Sequence, residues 1–190
     1  MASHAIITSC MDNARSDIAM RIITRTAHKR NDFATFCEAL PHKEFLTFCN
    51  SVKQFLTDVV KHINSPSKIS EISVQFGIDQ AARRCCGFKA DYFAAMADAI
   101  IIECVFLDGA VHPPTETIEA WATLVEPMFS NVRNGYYEQT RYTRKNNMFR
   151  QFSERSFDDS ANNSPLHCSS PGTSSSKSHI PTPDVVISRF

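Results

Sequence analysis

Apolar residues recur along this chain at helical spacing. Phe45, Phe48, Cys49, Val52, Phe55, Leu56, Val59, Val60 and Ile63 advance by three or four positions, or pair with a neighbour, and draw one stripe down a helix. Lys53, Thr57, Asp58 and Lys61 occupy the other side. At about 1.5 Å of rise per residue that helix is about 28 Å long. Asn64-Ser65-Pro66-Ser67 ends it and starts the next. A second stripe runs through Ile118, Trp121, Leu124, Val125, Met128, Phe129, Val132 and Tyr136, with a start signal at Pro113-Pro114-Thr115-Glu116. Pro127 lies inside it and predicts a bend near Thr123–Pro127, because proline removes a backbone donor and crowds the carbonyl four residues back.

Between the two stripes, Tyr92, Phe93, Met96, Ala97, Ile100, Ile101, Cys104 and Val105 predict a helix from Ala90 to about Leu107. Asp108-Gly109 stops it, with glycine free to take positive φ. A shorter helix is predicted over Ile69–Arg84, and Gly87 breaks the chain before the next. Ile18, Met20, Ile22 and Ile23 mark a helix over Asn13–Ala27, and Phe33 and Phe36 a short helical turn after it. Strand alternation bounded by turn signals is absent, so the chain reads as all-α.

Composition changes this picture at one place. Beyond about Arg150 the sequence turns to Ser, Pro, Asn and Asp, which bury too little apolar surface to offset their conformational entropy. The reading is a helical domain over 1–148 and a disordered Ser/Pro-rich tail over 149–190. Arg141, Arg144, Lys145, Arg150 and Arg155 read as a solvated helix end and linker.

Lysine plus arginine balances aspartate plus glutamate at 20 each, so nucleic acid and anionic membrane are not expected as partners. No apolar run is long enough to span a bilayer. The first residues, Met1-Ala2-Ser3-His4, lack the basic flank of a secretory signal and the glycine that myristoylation requires, so a cytoplasmic address is expected. Seven cysteines at irregular spacing argue for free thiols, and His and Cys show no zinc-ligand spacing. Catalytic patterns (a Ser-His-Asp set, a phosphate loop, paired carboxylates) are missing, so an enzyme is not expected.

Four local segments narrow the choice among helical folds. Phe76-Gly77 is followed by Gly87-Phe88-Lys89-Ala90-Asp91-Tyr92-Phe93, then by Ala120-Trp121 with Leu124, then by Asn134-Gly135-Tyr136-Tyr137. In that order and spacing the chain resembles a globin, most of all the intracellular globins of nematodes, over roughly Asp17 to Tyr142. The resemblance implies a globin-like fold with a shortened N-terminal helix, since only Met1–Met11 is available for it. It further implies haem, and binding or sensing of oxygen or another diatomic gas.

The same resemblance places the candidate pocket. Phe36 matches the aromatic residue that wedges against haem, with Cys37 as the other register. Phe48 stands at the gas-contacting position and Val52 one turn on, while Phe76 and Phe93 complete the lining. Aligned on Phe76-Gly77, Gln80 takes the place of the iron-binding histidine; aligned backward from Gly87, Arg83 does. A carboxamide is a poor iron ligand and a guanidinium stays protonated. No histidine occurs between His62 and His112. A thiolate can hold haem iron, but Cys85 and Cys86, one turn past Gln80, read as a helix-end pair. Two functions therefore remain open: a haem protein with Gln80 at the metal position, or a haem-free globin scaffold that senses or binds a protein partner, with a homodimer among the options.

Overall fold

A computed structural model describes residues 2–14 and 17–158, with side chains for 3–14 and 17–148. It is all-α, with seven α-helices, one 3-10 turn and no strand among the described residues. The chain divides into units Met1–Arg150 and Gln151–Phe190, and both core and candidate site lie in the first.

The helices are α1 (Ala2–Asp12), α2 (Ile18–Lys29), α3 (Asn31–Ala39), α4 (His42–Lys61), α5 (Pro66–Ala82), α6 (Tyr92–Asp108) and α7 (Pro114–Asp158), with a 3-10 turn at Arg83–Cys86. The long stripe predicted over Phe45–Ile63 falls in α4 as far as Val60, with Ile63 just past its end, and α4 buries Phe48, Cys49, Val52, Phe55, Leu56 and Val59. Pro66 opens α5 at its first turn, where the missing N–H costs nothing. Gly87 at φ 98° and Gly109 at φ 57° take the left-handed conformations that end the 3-10 turn and α6.

Three sequence expectations need correction. The helix expected over Asn13–Ala27 begins at Ile18, and α1 precedes it as a separate helix of 11 residues that buries Ile6, Ile7 and Cys10. Ile118 is 46% exposed, whereas its neighbour Thr117 is fully buried. In the first turn of α7 the covered face is the one carrying Thr117 and Trp121, which leaves Ile118 to solvent. Third, the tail expected from 149 starts as helix, because α7 runs on to Asp158. Residues 159–190 of that tail lie outside the described residues. Pro127 does not end α7, which continues through it.

One core joins the helices. α2 packs extensively on α6, and α1 contacts both α4 and α6. α7 reaches the others through Phe129 against Phe55 of α4 and Phe93 of α6. Tyr136 Oη donates to the Phe88 carbonyl at 3.0 Å, tying α7 to the segment before α6.

Candidate functional site

The residues named from the sequence come together as core. Phe36, Phe48, Val52, Phe76, Gln80 and Phe93 are all buried. α3 presents Phe33 and Phe36 three positions apart, on one face of a short helix. α4 presents Phe48 opposite them, and Phe88, from the segment before α6, and Tyr92, from its first residue, close the group. Ring centroids lie 5.9 Å apart for Phe36–Phe48, 5.4 Å for Phe36–Phe88 and 6.1 Å for Phe48–Phe88. All three pairs are edge-to-face, the arrangement that sets a ring's positive edge on its neighbour's negative face. Tyr92 packs on Phe33 at 5.0 Å and donates its hydroxyl to the Asp32 carbonyl at 3.1 Å.

A second aromatic group adjoins the first. Phe76 of α5 stacks on Phe55 of α4 at 4.1 Å with planes 8° apart. Phe93 meets Phe88 at 5.3 Å and Tyr136 at 5.6 Å. A groove of about 370 Å³ between α4 and α5 touches Phe55 and Phe76 but is lined by neither Phe48 nor Gln80.

Gln80 is the polar exception in this apolar surround. Its side chain is fully buried, and its Oε1 accepts a bond from Arg83 Nη1 at 3.0 Å. Its Nε2 has no hydrogen-bond partner among the described residues. An orphaned buried amide donor costs about 1–3 kcal/mol. Arg83, half-buried, carries its guanidinium 5.4 Å from the centre of the Phe48 ring. Burial pushes the Arg83 pKa down, with Asp79 and Glu44 opposing. The two residues that competed for one position in the sequence are thus hydrogen-bonded to each other, three apart across the end of α5.

The described histidines lie elsewhere, and none is buried. His62 donates through Nδ1 to the Asp58 carbonyl at 2.8 Å, at the end of its own helix. His112 bonds Asp108 at 2.7 Å in the turn between α6 and α7. Cys85 and Cys86 sit exposed on the 3-10 turn. Among the described residues, no group of three or more His, Cys, Asp or Glu side chains is arranged to hold a metal ion.

Sequence reasoning assigned Phe33, Phe55, Phe88 and Tyr92 to helix faces or motifs without placing them at the site. Their aromatic type was visible; their convergence needed the fold. Arg83 as partner of Gln80 was visible only as a spacing of three on one helical face.

No protein-family model matches the chain, and no solved structure matches it. The chain is similar to uncharacterized protein B0361.4 of Caenorhabditis elegans, 33% identical over 142 residues. That match covers 75% of this chain and 43% of the relative, so the chain spans less than half the relative's length.

Proposed function

We propose that this chain is a haem-free globin-like module that works as a sensor or protein-interaction scaffold. The order of elements supports a globin-like reading: two helices, a short aromatic helix, a long helix, a medium helix and two long ones. The observation that carries the haem-free reading is the set Gln80, Arg83 and Phe48. A haem would lie between the faces of α4 and α5 that bear Phe48 and Gln80. Instead the Gln80 oxygen is engaged by Arg83, and the Arg83 guanidinium covers the Phe48 ring. Phe36, Phe48 and Phe88 already contact one another beside it. A carboxamide and a guanidinium are also the wrong donors for iron. The residues present therefore do not fit a histidine-ligated haem.

The gas-binding function implied by the globin resemblance is the competing reading, and hemin titration separates the two. The wild-type protein should give no histidine-type haem absorption band. Gln80→His puts an imidazole at the end of α5 with little change in volume and no added charge while the ring is neutral. It should acquire such a band if α4 and α5 face each other as in a globin. An ordinary histidine-ligated spectrum in the wild type would overturn the haem-free reading.

A further inference from the structure

We propose that Cys85 and Cys86 form a vicinal dithiol site that chelates one thiophilic trivalent centre of the arsenous class. The 3-10 turn Arg83–Cys86 brings the two sulfurs within 3.7 Å, and both side chains are exposed. That gap is too wide for a disulfide, whose sulfurs are about 2.05 Å apart. It matches a pair of thiols bridged by one atom. Two bonds of roughly 2.3 Å at a pyramidal trivalent centre, with an angle of about 100° between them, span about 3.5 Å between sulfurs, within a few tenths of an ångström of the observed gap.

The surroundings select the class of occupant. A structural zinc takes four protein donors, and no third His, Cys, Asp or Glu joins these two among the described residues. Arg83 and Arg84 precede the thiols and disfavour a bare dication. A monosubstituted arsenous compound, R–As=O, needs only two thiols and is neutral. Two S–H bonds break, two As–S bonds form, and the oxygen leaves as water. Arsenic stays trivalent, so neither oxidant nor reductant is required. Each sulfur attacks as its thiolate, and the proton it gives up leaves on the departing oxygen; at Cys86 a hydrogen bond with Cys85 raises the pKa.

The site borders the buried cluster. Cys85 Sγ donates to the Ala82 carbonyl at 3.2 Å, a bond that chelation breaks. The turn has Arg83 at one end and leads through Gly87 to Phe88 at the other, and both of those contact Phe48. Occupancy would therefore act on the two sides of the turn that close the cluster. This site does not depend on the haem-free reading, because its test uses no haem.

The test uses the full reduced chain and phenylarsine oxide, read by intact mass and by counting free thiols. One equivalent should be retained through gel filtration, with two thiols consumed. A small dithiol should remove it, and the same concentration of a monothiol should not. C85S and C86S should each lose the retained adduct, and C37S should keep it. Melting curves check that the variants fold. Peptide mapping after alkylation checks the wild type directly, since the arsenical should protect Cys85 and Cys86 alone. Failure of the wild type to retain an equivalent, protection of a different pair, or retention by a folded C85S/C86S variant would each overturn the proposal.

Discussion

Asp108 shows what a single buried side chain does in this fold. Its carboxylate accepts the His112 backbone N–H at 2.9 Å and the His112 ring at 2.7 Å, and Cys10 donates to it from α1. It thereby holds the turn in which Gly109 and Ala110 both take positive φ. Burial raises the Asp108 pKa, but the bonds from His112 outweigh it and hold the carboxyl below its usual value. A carboxyl depressed by folding contributes stability above its unfolded pKa of about 3.9 and loses it as pH falls through the folded value. Asp108→Asn should therefore flatten the acid limb of a plot of melting temperature against pH, with the difference from wild type closing toward the lowest pH. An unchanged limb would mean that Asp108 is no more stabilised in the fold than in the unfolded chain. Asp32 behaves alike in sign, held low by Arg30 and, against burial, by Lys89. Its ion pairs lie at the surface, so high salt should weaken its part while sparing that of Asp108.

At the scale of elements, the crossing of α5 and α7 is closer than side chains permit. A Cβ on Gly77 would lie 2.0 Å from the Val132 carbonyl oxygen, and one on Gly135 2.1 Å from that of Val74. Each helix presents a glycine to the other's backbone, and neither backbone can give way as a flexible side chain would. In an exposed helix, glycine to alanine stabilises by about 1 kcal/mol. Here steric overlap should reverse that sign. Gly77→Ala or Gly135→Ala should destabilise by roughly 1–3 kcal/mol or more, as overpacking does. Urea denaturation measures this, and a gain in stability from either variant would place the helices farther apart.

For the molecule as a whole, Trp121 and Phe93 are fully buried on α7 and α6 in the core shared by the helices. Trp121→Ala and Phe93→Ala should each cost about 3–5 kcal/mol by denaturant unfolding. A loss under about 1 kcal/mol would contradict this burial. Trp121→Phe should cost clearly less than Trp121→Ala. It keeps most of the ring volume and removes Nε1, a buried donor with no partner among the described residues.

How much of this could be read in advance depends on how far apart in the chain the deciding residues lie. The stripe through Phe48, Val52, Phe55 and Val59 determines a helix and its buried side by itself, because side-chain direction repeats within a few residues. The stops at Gly87 and Gly109 and the proline start of α5 are equally local. The donor chemistry of Gln80 was legible too, since a carboxamide's chemistry goes wherever the residue goes, but its full burial and its bond with Arg83 were not. What needed the tertiary structure is contact between distant segments: Phe36 on Phe88, Gly77 against Val132, Gly135 against Val74, and Cys10 on Asp108. Ile118 makes the same point from the other side. Its period matches the stripe, yet whether a face is covered depends on which helix arrives there, and none covers Ile118. Periodicity repeats along one helix, whereas packing is a relation between helices, and only their assembly turned a row of aromatic residues into a closed cluster.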